Sequence, residues 1–282
     1  MNRVSVIILC HDQAHMLARA LYALGRQAEG LEDISLEIVI VDNGSRVPVD
    51  LDAVAPAFLA PLQRQHVHVV RLEASSMGFA VAHARNQGIA AATGEHLVFL
   101  DADCIPAPGL LRSYVEAMPA ADGAVLIGHR YFVHGDAVSD ARLLADLRHL
   151  YQVPQVPSDS NFGLVVDRRL PELVTLADHP MPFNCLHGCN FVVPAAAVRA
   201  VGGFDTEFDG AWGFEDIELG YRLHRLGLPF AYVPMAHVFH QDDRVPGVVN
   251  RHDVRNLHLA HGKIPGYAAY RPALRASVLF PA

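Results

Sequence analysis

His96-Leu97-Val98-Phe99-Leu100-Asp101-Ala102-Asp103 is an apolar run that ends abruptly in two carboxylates. The run Leu97 to Leu100 is short and carries Val and Phe, so it reads as a buried strand. Asp101 and Asp103 then sit at its C-terminal end, the edge of an open α/β sheet where ligands bind. Two Asp residues with one small residue between them can place oxygen ligands on a divalent ion, which commonly bridges protein carboxylates to substrate phosphates. The plain alternative is a strand end closed by polar residues. The rest of the chain favours the metal reading.

The 282 residues allow one large domain or two small ones. With 51% hydrophobic and 18% charged residues, a sizeable core is expected and disorder is not. A net charge of -8 argues against nucleic acid as a partner. Cys10, Cys104, Cys185 and Cys189 are expected as reduced thiols, because a core this large does not call for a disulfide framework. His187 lies between Cys185 and Cys189, but a structural zinc site needs four ligands and the usual paired spacing is missing. The apolar run Val4 to Cys10 is too short for a signal peptide, and no later run reaches about 18 apolar residues. A soluble, cytoplasmic protein without an integral membrane segment is expected.

Taken in order, Val4 to Leu9 reads as a buried parallel strand followed by the polar turn His11-Asp12-Gln13. Met16, Leu17, Ala20, Leu21 and Leu24 give Ala14 to Gln27 helical spacing. Leu36 to Val41 is a second strand ending at Asp42-Asn43-Gly44-Ser45, itself a good turn sequence. His66 to Leu72 is a third strand, Phe79 to Ala92 a helix closed near Gly94, and Leu97 to Leu100 the fourth strand. This is a nucleotide-binding α/β layout. No G-x-G-x-x-G follows the first strand, which weakens a dinucleotide reading. Instead Asp12, Asp42, Asp101 and Asp103 collect at successive strand ends.

Beyond Ala107, Pro108 to Met118 reads as a helix starting at its proline, and Ala124 to Val133 as a strand. The proline-rich residues 152–182 read as a long surface loop or a lid. Asn190 to Val193 is a short strand and Pro194 to Val201 a helix closed by Gly202-Gly203. Asp216 to Leu226 reads as an amphipathic helix with Glu215 and Asp216 at its N-terminus, where the helix dipole stabilises carboxylates. Trp212, the only tryptophan, is a plausible sugar platform beside them. Phe230 to Val233 is a strand, and His237 and His240 follow it. One of these histidines is expected to reach Asp101 and Asp103. Arg251, His252, Arg255, His258, His261 and Lys263 either cover a diphosphate or face water.

Together these segments resemble the GT-A fold glycosyltransferases of family 2 over residues 3–245. Ile40-Val41-Asp42-Asn43-Gly44-Ser45 resembles V-D-[DN]-G-S, whose Asp contacts the uracil, and Ala84-Arg85-Asn86-Gln87-Gly88-Ile89 resembles A-R-N-x-G-I. Phe99-Leu100-Asp101-Ala102-Asp103 is similar to the D-x-D metal motif. The opening turn departs, reading Leu9-Cys10-His11-Asp12 where the family has Pro-x-Tyr-Asn. Gly188-Cys189-Asn190 resembles a G-x-N segment, and Val201-Gly202-Gly203-Phe204-Asp205 resembles V-G-G-F-D. Trp212-Gly213-Phe214-Glu215-Asp216 looks like the W-G-x-E-D motif of galactosyltransferase-type and chondroitin-polymerase-type domains. His240-Gln241-Asp242 resembles an H-Q-E segment that supplies a metal histidine. His237 is its rival, in a segment similar to the G-H-V-F of polypeptide N-acetylgalactosaminyltransferases.

The resemblance implies a Rossmann-like α/β fold with a mixed central sheet flanked by helices. It implies a nucleotide-sugar-binding half (1–103), an acceptor-binding half (104–245) and a tail (246–282). Asp12, Asp42, Asn43, Arg85, Asn86, Asp101, Ala102, Asp103 and Trp212 would bind the donor, a UDP-sugar. Mn²⁺, or Mg²⁺, would be held by Asp103 with His240 or His237, and by Asp101 directly or through water. Asp216 would be the base that accepts the proton of an acceptor hydroxyl, and Glu215 would hold the acceptor, which is a glycan, lipid, peptide or small molecule. Retaining relatives tend to carry Asn where this chain has Asp216, so inversion is expected. A retaining enzyme on the same fold and a non-catalytic nucleotide- or carbohydrate-binding protein are the alternatives. A degenerate binding protein is expected to lose Asp103 or Asp216, and both are present.

Overall fold

Alternation along the first strand sets the layers. In the computed structural model, strand β1 (Asn2–Cys10) sends Val4, Val6 and Ile8 to one face of the sheet and Ile7 to the other. The first face is covered by helix α1 (Ala14–Ala28) through Leu17, Leu21 and Leu24. The structure describes residues 2–270 apart from 29–30, 32–33, 63–64, 75–79, 120, 122, 159–163 and 243–253. The chain continues through β2 (Ile34–Asn43), α2 (Pro56–Leu59), β3 (His66–Leu72), α3 (Val81–Ala91), β4 (His96–Asp101), β5 (Cys104–Pro106), α4 (Leu110–Ala117) and β6 (Val125–Val133). Then follow α5 (Asp140–Ala145), α6 (Leu170–Leu173), β7 (Asn190–Pro194), α7 (Ala195–Ala200), α8 (Glu215–Arg225), β8 (Phe230–Gln241), α9 (Val254–Lys263) and α10 (Tyr267–Tyr270).

One eight-stranded sheet runs in the order β3-β2-β1-β4-β7-β6-β8-β5. β1 pairs in parallel with β2 and β4, as does β2 with β3 and β6 with β8. β7 is antiparallel to both β4 and β6, and β5 is antiparallel to β8. The C-terminal ends of β1, β2, β4 and β8 therefore share one edge with the starts of β5 and β7. That edge collects Asp12, Asp42, Asp101, Asp103, His240, Cys104 and residues 187–189.

The second face is packed by α3, α8 and α9 against Ile7, Val39, Val41, Leu97 and Phe99. Gly88 lets α3 approach, since a Cβ there would meet the Ile7 side chain at 2.5 Å. Phe99 and Phe191 are register partners on β4 and β7, and their rings stack at 4.7 Å. The Asp209 carboxylate accepts from the backbone N–H groups of Ala82 and His83, capping α3 from the other half of the chain.

Several boundaries differ from the sequence expectation. α4 begins at Leu110 rather than Pro108, because Gly109 takes a left-handed conformation at its N-cap (φ 87°). β8 runs on to Gln241 instead of stopping at Val233. Pro234 falls where the β6–β8 ladder is irregular, so its missing N–H breaks no ladder bond. Within residues 152–182, α6 and short 3₁₀ turns are found, with a buried Asp167–Arg169 ion pair at 2.7 Å. The described part of that segment is thus a surface segment with short helical turns, anchored by buried residues such as Val153, Asp167, Leu173 and Leu176, with Leu164, Val166 and Val174 exposed. α5 and the 3₁₀ turn Leu147–Gln152 were not foreseen.

Candidate active site

Arg85 is the centre of the charge arrangement. It projects from α3, is 5% exposed, and donates Nη1 to Glu215 Oε1 at 2.7 Å and Nη2 to Asp101 Oδ1 at 3.1 Å. One guanidinium thereby ties the end of β4 to the first turn of α8. Gly188 packs on it: a Cβ there would lie 2.1 Å from the Arg85 guanidinium. The Gly188 N–H donates to Asp216 Oδ2 at 2.9 Å, and the Ile217 N–H donates to Asp216 Oδ1 at 2.8 Å. Burial and the neighbouring Asp216 carboxylate push Glu215 up to about 7, against the opposing pull of Arg85. Burial raises Asp216 as well, with Arg85 and the two N–H donors opposing it.

Asp103 faces His240 across the same edge, with Oδ1 3.6 Å from His240 Nε2. Gln13 Nε2 donates to Asp103 Oδ2 at 3.3 Å, and the Gln241 N–H donates to the Asp103 carbonyl at 2.8 Å. Among the described residues, Asp103, Cys104 and His240 are the group able to hold a metal ion, their ligand atoms lying within 4.8 Å of one another. His237 is not part of it. His237 and His240 stand three apart on a regular stretch of β8, so they point to opposite faces. The His237 ring stacks on His129 at 5.1 Å, and its Nε2 lies 3.1 Å from the Tyr151 hydroxyl.

The other expected donor-side residues divide by what already occupies them. Asp42 is fully buried, and its carboxylate accepts from the Ser45 N–H at 3.0 Å and the Val49 N–H at 2.9 Å. Asp12, left-handed at φ 55°, pairs with Arg46 at 2.7 Å. The Asn43 carbonyl lies 2.9 Å from His11 Nδ1. Asn86 spends its amide on the Phe204 backbone, accepting at 2.7 Å and donating at 2.8 Å. Ala102 is buried, its N–H donating to the Leu9 carbonyl. Trp212 is 36% exposed on the loop before α8. That loop ends in Phe214 at φ 74°, a left-handed conformation a bulky side chain rarely takes.

Three contributors carried no local signal. Gln13 and Gln241 act on Asp103 from distant strand ends. Asn256 on α9, fully buried, donates to the carbonyls of Phe208, Ala211 and Gly213, the loop bearing Trp212. Beside it Arg255 donates to the Asp209 and Glu207 carbonyls, and Lys263 pairs with Asp205 and Glu207. Arg255 and Lys263 thus turn to residues 205–209, while His258 is exposed; Arg251 and His252 lie outside the described residues. All four cysteines are buried, and none is in a disulfide.

The sequence profile of glycosyl transferase family 2 matches residues 5–163, over half of the chain, and that of the N-terminal domain of galactosyltransferase matches residues 171–242. The chain belongs to glycosyl transferase family 2. This family 2 chain is 34% identical over 233 residues to the validoxylamine A glucosyltransferase of Streptomyces hygroscopicus subsp. jinggangensis (strain 5008), covering 80% of this chain and 52% of that one. It is 27% identical over 259 residues to the chondroitin synthase of Escherichia coli, covering 89% and 36%. The chain therefore spans about half the length of the first relative and about a third of the second. Among solved structures, GalNAc-T7 with UDP, GalNAc and Mn²⁺ matches at TM-score 0.61 and 18% identity, over 100% of this chain and 52% of that one. The mannosyltransferase PcManGT from Pyrobaculum calidifontis, in complex with GDP-Man and Mn²⁺, matches at TM-score 0.58 and 17% identity, over 92% and 64%. The fold is GT-A, an α/β fold with a mixed sheet flanked by helices. No helix among the described residues is long and apolar enough to cross a membrane.

Proposed function

We propose that this family 2 chain transfers a sugar from a nucleotide sugar, a UDP-sugar, to an acceptor hydroxyl with inversion at the anomeric carbon. The observation that carries this is the meeting, at one sheet edge, of two groups. One is the Asp103–His240 pair. The other is the carboxylate set Asp101, Glu215 and Asp216, organised by Arg85.

The donor set suits a divalent ion, since a carboxylate and an imidazole face each other and His240 Nδ1 is buried without a partner. Asp103 and His240 would hold Mn²⁺ or Mg²⁺, whose charge offsets that of a leaving nucleoside diphosphate. The bound nucleotides and Mn²⁺ of GalNAc-T7 and PcManGT support this assignment. Asp101 would hold the donor ribose or a metal-bound water, kept in place by Arg85.

Asp216 is the general base. Its carboxylate is oriented by the Gly188 and Ile217 N–H groups, and its raised pKa makes it a stronger proton acceptor than a free Asp. Glu215, pinned by Arg85, holds the acceptor, and Trp212 offers a flat apolar face to a sugar ring. Proton removal by Asp216 as the hydroxyl attacks the anomeric carbon inverts that centre in one displacement.

The test is nucleotide release from a panel of UDP-sugars, without acceptor, in Mn²⁺ and in chelator. UDP release that needs the metal and favours one sugar is the expected result. Absence of both release and UDP binding would overturn the nucleotide-sugar reading, beginning with Asp42.

A further inference from the structure

Three arginines lie buried around the candidate site, and two of them are fully engaged. Arg85 serves Asp101 and Glu215. Arg169 chelates Asp167 and donates to the Cys185 and Gly128 carbonyls. Arg130, on β6, is 7% exposed, and the contact of its Nη1 with Cys189 Sγ at 3.4 Å is its only side-chain hydrogen bond among the described residues. Its Nε is buried with no partner. Asp167 accepts from the Arg130 backbone N–H at 3.1 Å, but its charge is taken by the Arg169 guanidinium at 2.7 Å. Among the described residues no carboxylate pairs with the Arg130 guanidinium, and a buried cation in that state is costly unless an anion meets it.

The position of Arg130 says where that anion arrives. Arg130 and Phe132 are two apart on a strand and share a face; the Arg130 Cζ lies 4.9 Å from the Phe132 ring centroid. Phe132 is the register partner of His240, and their rings lie 5.0 Å apart. On the other side Arg130 touches Cys189, which follows Gly188, the donor to Asp216. The guanidinium therefore lies between the His240 side and the Gly188–Asp216 side of the site.

We propose that Arg130 is a specificity-determining residue that takes an oxyanion, a carboxylate or phosphate, carried by the substrate that docks between His240 and Gly188. This rests on the sugar-transfer reading for which substrate is meant, and on the Arg130 geometry alone for the anion. The oxyanion sits on the transferred sugar or on the acceptor. The planar fork of a guanidinium suits either group, because both present paired oxygens. Among the described residues the Cys189 sulfur is the side-chain partner of the guanidinium, and it engages a single nitrogen.

The test uses the full chain and Arg130→Gln, with Arg130→Lys as a variant that keeps the charge. Binding is titrated in three arms. UDP alone reads the nucleotide site. UDP-glucuronate against UDP-glucose reads an anion on the donor. Methyl glucuronide and glucose 6-phosphate against methyl glucoside read an anion on the acceptor. The expected result is at least a tenfold preference for the anionic member in one of the last two arms. Arg130→Gln loses that preference, Arg130→Lys keeps part of it, and UDP affinity is unchanged. UDP binding with no anion preference in the wild-type protein, or with a preference that survives Arg130→Gln, overturns the proposal and leaves the nucleotide reading standing. An Arg130-dependent preference in the acceptor arm without UDP binding does the reverse. Because the wild-type preference is read without any variant, poor folding of Arg130→Gln does not shield the proposal.

Discussion

Asp216 and Glu215 are neighbours with different surroundings, and each can be tested by removing one charge. Asp216→Asn keeps an oxygen for the Gly188 N–H but cannot take a proton. Sugar transfer is expected to fall by about 10²–10⁴, with UDP affinity unchanged; steady-state rates beside a binding titration check this. Glu215 holds its proton to about pH 7 in the folded protein, against 4.5 in the unfolded chain. Folding therefore takes up a proton between those values. The resulting stabilisation is complete below pH 4.5 and is lost as pH rises through 7. Urea unfolding at pH 5 and pH 8 is expected to show a drop that shrinks in Glu215→Gln; an identical drop in the variant would remove Glu215 as its source. At this scale much was readable beforehand. Asp101, Asp103, Glu215 and Asp216 stand at element ends, where residue type alone marks them. Arg130 and Asn256 were not readable, because their roles come from partners scores of residues away and leave no local spacing. Asp42 and Asn86 sit where expected, yet each already spends its polar atoms on backbone groups.

Among the elements, β8 departs most from the sequence reading. A strand ending at Val233 leaves His237 and His240 as rivals. Extending it separates them at once, since residues three apart on a strand cannot share a face. The short apolar strands β1, β2 and β4 are legible because burial on both faces makes continuous apolar runs, whereas β3, at the sheet edge, alternates histidine with valine. The sequence from Asn250 to His261 reads as polar and partly helical, and α9 is that helix; what it buries is an amide and a narrow apolar stripe. Its Asn256 holds three carbonyls of the Trp212 loop, and Asn256→Ala leaves those acceptors without their donor. A loss of about 1–3 kcal/mol in unfolding free energy is expected. Weaker acceptor binding is expected with it, measured by denaturant melts and by KM for acceptor.

For the whole molecule, one sheet runs through both halves, 1–103 and 104–245, and α9 and α10 enter the larger core. Leu257, Ile264 and Tyr267 are buried in the same cluster as Phe99 and Phe191. Each contributes about 1.5–3 kcal/mol of burial, a sum comparable to the net stability of a typical domain. A chain ending at residue 245 is expected to melt lower and to bind a hydrophobic dye; an unchanged melting temperature would mean the tail is dispensable to the fold. The antiparallel course of β7 also bears on how the chain is made. β4 meets β1 on one side, but its other edge is closed only when residues 190–194 arrive. At about 5–20 residues per second, synthesis leaves that apolar edge open for several seconds or more. An open strand edge is a template for pairing with another chain. A ribosome stalled once Asp103 has emerged from it, but before residues 190–194 have, therefore displays a sticky β4 edge, and chaperone demand is expected to peak there and to end when β7 docks.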